Sequence, residues 1–485
     1  NLRIMRILSI TLLCIVLPGW LVSQSNALTL DEAIRLAKEH SIAAKRAATR
    51  KETAYWQWRT FLSELKPQLA LNGNLPGFTR SFVEVVQPDG TIAFNPVSFN
   101  NSSLELSLSQ QIAKTGGTVF LQHQLQRFDD FDRNNTLYNG IPFAIGYTQP
   151  LFRFNALKWG KQIEPLRYEE SRQQFIAAME ETSLNVSNYF FDLLLAQINR
   201  QIAQTNLANN DTLFQIAQER LALGKISQND LLQLRLSVLN ARKDLSSAQQ
   251  QEEAALLQLN AFLGIQEETA FQLSAPENIQ TLTVSPDQAL QQAFANRPDA
   301  IAFGRRILEA SQELDRAKKE NGFNASLSLA FGLSNRGSRP SDVYRKPQDR
   351  EFAEIQFALP IMDWGRSKSR TETAKANLTL AQQTADQDKI TFRQEIITQI
   401  ALFEMLQQQV QLSKEADQIA SQRYQIAQDR FLLSDLSVTD LSIALQEKDG
   451  AKRDFILALR DYWQAYYSLR WLTLYDFEKN QKISY

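Results

Sequence analysis

Cysteine is all but missing from this chain of 485 residues: the only one is Cys14. Beyond that position disulfides and thiol chemistry are excluded. Histidine is nearly as scarce. His40 and His123 are the two in the chain, too few and too isolated to imply a metal site. An excess of one charge is also lacking: the formal net charge is −1, and no basic surface argues for a nucleic-acid partner. Past the N-terminal segment no stretch holds about eighteen uninterrupted apolar residues, so no helix is expected to cross a bilayer. No glycine-rich phosphate loop and no nucleophile elbow is present. Acidic residues are abundant on helical stretches, where they read as solvated faces rather than as a general acid–base couple. These absences argue against an enzyme and against a bound cofactor.

What is present begins at the N-terminus. Arg3 and Arg6 precede an apolar run from Ile7 to Leu17, and Ser25-Asn26-Ala27 offers small residues for a peptidase. This is the pattern of a secretory signal peptide over 1–27, with cleavage expected after Ala27 and Met5 as a candidate start. Lipidation of Cys14 is not expected, because Leu13 is too large for the residue before a lipidated cysteine and the apolar run continues past it. The rest has a mean hydropathy that looks soluble, −0.32 over the whole chain.

The chain also contains a stretch of itself twice. Gln215–Gly224 reads QIAQERLALG and Gln425–Ser434, 210 positions later, reads QIAQDRFLLS. The same offset of 210 carries Pro150 onto Pro360, Lys158 onto Lys368, Ser227 onto Ser437, Asp230 onto Asp440 and Asp244 onto Asp454. A second offset of 256 carries Ala33 onto Ala289, Ala37 onto Ala293, Arg50 onto Arg306, Glu64 onto Glu320 and Leu71 onto Leu327. Repeats this long are whole structural units, and duplication in one chain implies pseudo-symmetry. The difference between the offsets, 256 − 210 = 46, places an excess of 46 residues in copy one between Leu71 and Pro150. The expected division is a first repeat over 28–280, a second over 281–477 and a tail over 478–485.

Each copy reads as a helix, a β-like block and a longer helical block. Thr29 or Asp31 starts a helix with Ala33, Leu36 and Ala37 on its apolar face, and Pro67 ends it. From Leu69 the period changes to two. Leu104, Leu106 and Leu108 alternate with Glu105, Ser107 and Ser109, and Phe143, Ile145 and Tyr147 alternate before Pro150. Pro88-Asp89-Gly90 and Lys114-Thr115-Gly116-Gly117 are turn signals. From Phe152 to about Leu223 the sole helix breakers are Gly160 and Pro165, while Ile176, Met179, Ser183, Val186, Phe190 and Leu193 keep the spacing of a coiled-coil seam. Long helices are expected at 153–222 and 230–262, then a linker over 264–286. Copy two is expected to give a helix to Glu320, strands near 325–360, and helices at 366–433 and 440–475.

Short alternating strands between very long helices are too few to close a sheet in one chain. An open edge in lipid would leave backbone groups unpaired at several kcal/mol each, so an exported protein of this pattern is expected to close one barrel from several chains. About ten residues per strand suits a tilted outer-membrane strand. Aromatic residues gather at the strand-to-helix corners: Phe152, Phe154 and Trp159 after Pro150, and Trp364 after Pro360. They read either as a membrane-interface belt or as the filling of a corner core.

At this point LTLDEAIRLAKEHS, QPLFRFNALKWGK, LPIMDWGRSKSR, RLALGKISQNDLL and RFLLSDLSVTDL together resemble the TolC family of outer-membrane efflux proteins, over about residues 28–475. The resemblance implies a mostly α fold with a small β part. Long antiparallel coiled-coil helices of three chains would form an α-helical barrel, continued by a transmembrane β-barrel of about four strands per protomer. It implies an outer-membrane exit duct reaching into the periplasm of a Gram-negative cell. The duct would pass drugs, small molecules or proteins in a tripartite efflux or type I secretion system. The implied partners are two further copies of the chain, a periplasmic adaptor, an inner-membrane pump of the RND, ABC or MFS type, and outer-membrane lipid.

By the same resemblance Asp440, and Asp230 as its copy-one counterpart, would line the periplasmic constriction. Gly224, Ser227, Ser434 and Ser437 would lie at the tips that adaptors contact. Pro150, Phe152, Trp159, Pro360 and Trp364 would mark the membrane interface. The family's second tip aspartate corresponds to Ile443 here and a basic locking residue to Leu436, so the family's salt-bridge lock is not expected intact. The bland reading of the aspartates is helix capping, since Ser227-x-x-Asp230 and Ser437-x-x-Asp440 both have the form of a capping box. The extra strands around Leu104–Ile112 and Thr118–Leu125 either widen the barrel or form a hairpin outside the membrane. Twelve strands from three chains already close, which favours a hairpin outside. Two other classes compete with the duct. A periplasmic adaptor would carry the long hairpin once, and an exported coiled-coil scaffold would not need matching strands in both copies.

Overall fold

In the computed structural model the described residues are 27–265, 269–277, 279, 281–433 and 435–485. The signal-peptide segment, apart from Ala27, and Ser434 lie outside them. Two compact units emerge: one takes the described residues of Asn1–Ala33, Tyr189–Ala261 and Ile265–Asn278, the other Ile34–Asn188, Phe262–Gly264 and Ile279–Tyr485.

Helices carry the duplication. Copy one has α1 (Leu30–His40), α2 (Ile42–Glu64), α3 (Ala156–Ala222) and α4 (Gln228–Leu263); copy two has α5 (Pro286–Asn296), α6 (Pro298–Glu320), α7 (Arg366–Leu432) and α8 (Val438–Thr473). Each single helix expected at the head of a copy is in fact two. Ser41 breaks the first, in extended conformation with its hydroxyl accepting from Ala44 N at 3.1 Å. Pro298 opens α6 in the second, following Arg297 in extended conformation. A serine cap inside a good helical pattern and a proline at the first helical position both restart a helix. The α7 helix has 67 residues, about 100 Å at 1.5 Å per residue.

The long helices fold back as antiparallel hairpins, as their ion pairs record. Between α3 and α4, Arg200 meets Glu252 and, nearer the turn, Asp211 lies 3.7 Å from Arg242. Between α7 and α8, Gln399 donates to Ala465 O at 3.1 Å, Asp417 pairs with Lys452 at 3.3 Å, and Arg423 meets Glu447. Partners step inward together towards each turn, as antiparallel neighbours must. Where α7 and α8 pack, Ile396, Ile400, Phe403 and Val410 of one and Phe455, Leu459 and Tyr462 of the other are buried, with the Phe403 and Tyr462 rings 5.4 Å apart.

The β part is one antiparallel sheet of seven strands: β2 (Gln68–Asn74), β3 (Phe78–Val86), β4 (Ile92–Gln111), β5 (Thr118–Asp130), β6 (Asn135–Leu151), β8 (Asn324–Gly337) and β9 (Gln348–Ala358). Two-residue strands β1 (Ala27–Leu28) and β7 (Gln272–Leu273) pair in parallel, and β10 (Tyr475–Asp476) pairs with β11 (Gln481–Lys482). In the sheet the order is β2-β4-β5-β6-β8-β9, with β3 on the far half of β4. One expectation is corrected: the extra strands of copy one do not stand apart as a separate hairpin, since β4 and β5 are interior strands of the sheet, continuous with β6 and β8. Register is the physical reason. Leu69 and Leu71 sit opposite Leu108 and Leu106, which sit opposite Leu121 and His123, so one slip would turn every leucine to the other face.

Candidate functional site

Three parts bear on function: the two faces of the sheet, the corners where strands become helices, and the hairpin turns. On one face Leu69 and Leu71 of β2 continue into Leu104, Leu106 and Leu108 of β4, then Val119 and Leu121 of β5. They continue into Ile145 and Tyr147 of β6, Leu329 and Phe331 of β8, and Ile355 and Phe357 of β9. Most of these side chains are exposed, Leu69 and Leu71 at 68% each. The other face carries Asn72, Ser103, Glu105, Ser107, Gln122, Gln124, Ser326, Ser328, Glu354 and Gln356. Glycine keeps this face open to large neighbours: a Cβ on Gly146 would lie 2.2 Å from the Phe120 ring of the adjacent strand. A soluble sheet buries its apolar face on a core. Here the apolar face is the bare one, over an area far larger than scattered surface hydrophobes would give.

At the corners the sequence-marked residues separate into two kinds. Pro150 is paired within β6 opposite Ser326, and Phe152 follows with φ +63, exposed, its ring 5.7 Å from Phe323. Trp364 is 91% exposed and, like the neighbouring Ile361 and Met362, leaves its apolar surface bare beside Pro360. Trp159 differs. It is half-buried on α3 and its indole N–H donates to Asp315 of α6 at 2.9 Å. The α7 start is tied by Asp363, which accepts from Gly365 N at 3.0 Å and from Ser367 N at 2.8 Å.

The turns repeat one local design. In copy one Gly224 has φ +71 and Lys225 N donates back to Arg220 O at 2.9 Å, a left-handed helix stop. Copy two makes the equivalent bond, Asp435 N to Arg430 O at 3.0 Å. The next helix then starts with a capped serine in each. Ser227 Oγ donates to Asp230 at 2.7 Å and accepts from Asp230 N at 3.2 Å; Ser437 Oγ donates to Asp440 at 2.6 Å and accepts from Asp440 N at 3.0 Å. The Ser227 hydroxyl and amide hold the Asp230 carboxyl below its usual range. Capping is therefore real geometry at both aspartates, and Asp440 is in addition solvent-exposed. Sequence reasoning passed over one difference. Asp435 pairs with Arg430 at 3.0 Å, whereas Lys225 holds the same place in copy one. The offset of 210 already aligned those two positions and their opposite charges.

Among the described residues no helix is long and apolar enough to cross a membrane. No group of three or more His, Cys, Asp or Glu there is placed to hold a metal ion.

Comparison with known proteins fits these features. A family model described as outer membrane efflux protein matches residues 104–265 and 289–473. Among curated relatives, the alkaline protease secretion protein AprF of Pseudomonas aeruginosa is 22% identical over 49% of this chain and 49% of its own length. The cation efflux system protein CusC of Escherichia coli strain K12 is 23% identical over 47% and 50%. The matched regions thus span about half the length of these relatives. Solved structures show the same fold over nearly the whole chain. A CusC structure superposes with TM-score 0.64 at 16% identity, covering 92% of this chain and 91% of that one. The CmeC outer membrane channel of Campylobacter jejuni gives 0.63 at 17%, covering 93% and 88%.

Proposed function

The chain belongs to the outer membrane efflux protein family, and on that footing we propose that it is the outer-membrane exit duct of a tripartite efflux or type I secretion system. Three copies join their sheets into one barrel in the outer membrane, and their long hairpins form the periplasmic part of the tube. A periplasmic adaptor docks at the hairpin turns and an inner-membrane pump supplies the cargo. The observation that carries this reading is the two-faced sheet. A contiguous exposed apolar band backed by a mostly polar face is the alternation that a water-filled barrel in lipid requires. The exposure of Phe152, Ile361 and Trp364 beside the strand ends supports an interface belt there, while the bond from Trp159 to Asp315 supports a corner-packing role for that residue.

In this assembly Asp440 lines the periplasmic constriction while still capping α8. Three such carboxylates about 6 Å apart would repel pairwise by about 3 kcal/mol at an effective dielectric near 20, which favours cations at the opening. Cell fractionation tests the whole reading. A heat-modifiable trimer in the outer-membrane fraction is expected; a chain released with the soluble periplasm would refute it.

A further inference from the structure

The sheet contains more strand positions than a twelve-stranded closure uses. Its six positions, β2-β4-β5-β6-β8-β9, form one uninterrupted ladder. Resting on the duct reading above, we propose that all six enter the barrel, with β2 of one copy hydrogen-bonded to β9 of the next. Three copies of six positions then close eighteen strands.

Three observations carry this. The apolar face does not stop at the strands nearest copy two: Leu106 and Leu108 are as exposed as Ile145 and Leu329, and they lie in register with them. A ribbon standing in water would have no use for an outward row of Leu69 and Leu71 on β2 and Leu104, Leu106 and Leu108 on β4. The polar face continues equally, through Ser103, Glu105 and Ser107 to Asn72, as a lumen wall would. Finally, β2 and β9 are the two edges of the ladder, and among the described residues neither has a second strand partner. Both adjoin the apolar band, so an edge left open there would place unpaired N–H and C=O groups in lipid. A head-to-tail contact between two different edges closes into a ring, as a repeated copy requires. Because barrel diameter grows roughly linearly with strand number, the bore would be about half again as wide as that of a twelve-stranded barrel. Beyond the band, β3 and the far half of β4 continue as a ribbon ending at the turn Pro88-Asp89-Gly90.

The single cysteine, Cys14, lies in the signal run, so engineered cysteines after residue 27 report without background. Cysteines at Ala70 or Asn72 of β2 are paired with cysteines at Glu354 or Gln356 of β9, and the outer-membrane trimer is oxidised. Covalent dimers and trimers from these pairs are expected. Cross-links instead from Gln122 or Gln124 of β5 to the same β9 positions would show that β2 and β4 peel away, and would overturn the proposal. If neither set cross-links, a spin label on Leu106→Cys decides: relaxation by oxygen places β4 in lipid, relaxation by a water-soluble nickel complex places it outside and refutes the inference. Absence of any outer-membrane trimer would refute the duct reading itself, a distinct failure.

Discussion

Glu180 is the residue on which the most distant parts of its unit converge. It has no exposed surface. Its carboxylate takes Arg470 Nε at 2.8 Å and Lys38 Nζ at 3.3 Å, and the hydroxyl of Tyr485 also donates to it. Arg470 in turn pairs with Asp476 at 2.6 Å. Burial alone would raise the Glu180 pKa, but Arg470 and Lys38 outweigh it and hold the group below the usual carboxylate range. A carboxyl depressed in the folded state stabilises above its unfolded pKa, and that contribution is lost as pH falls through the folded value. Stability should therefore drop on acidification below the ordinary carboxylate range, and Glu180→Gln should flatten that slope. The substitution leaves Arg470 buried without its main partner, a loss of about 3–5 kcal/mol, read as a lower melting temperature at neutral pH. At the turn, Asp440→Ala is expected to change single-channel conductance and cation preference in planar bilayers; unchanged values would remove Asp440 from the constriction. Its capping partner is separable, since Ser437→Ala should cost about 1 kcal/mol in thermal unfolding. None of the Glu180 network was legible in the sequence, because one acid in a helix full of acids carries no mark of burial. The capping boxes were legible, because serine and acid three apart are local chemistry.

Elements were read best where the periodicity was long and the stop signals strong. The ends of α2 and α6 at Glu64 and Glu320, and the hairpin turns, follow from proline and from glycine or serine punctuation. Division of the leading helices was missed, because His40-Ser41-Ile42 fits a helical pattern until Ser41 is seen to turn its hydroxyl to Ala44 N. Strands were placed by alternation at every position of the ladder, and within the sheet only β3 was passed over. Alternation marks a strand but not which strand it pairs with, and twelve strands from three chains close without β4 and β5. The sheet's two faces give a direct test at this scale. Leu108→Arg puts a guanidinium on the apolar face, at a cost of about 2–4 kcal/mol if the site is near the bilayer midplane. Ser107→Arg, one residue away on the polar face, should be tolerated. Outer-membrane trimer yields should fall for the first and hold for the second; equal effects would mean the band does not face lipid.

For the whole molecule, duplication explains both the likeness and the unlikeness of the two copies. Each copy supplies leading helices, strands and a long hairpin, and each hairpin turns through the same bond pattern. The copies differ where function is expected to differ: three more sheet strands in copy one, and opposite charges at Lys225 and Asp435 beside the turns. An adaptor meeting both turns would then face two charge patterns rather than one, and Lys225→Asp should weaken copurification of the adaptor more than Lys225→Arg. The duct itself is tested most directly by electrical recording. Purified trimer added to a planar bilayer should give discrete current steps, one per inserted trimer. Inserted trimer that carries no current and releases no trapped solute from vesicles would contradict the proposal that this chain forms a duct.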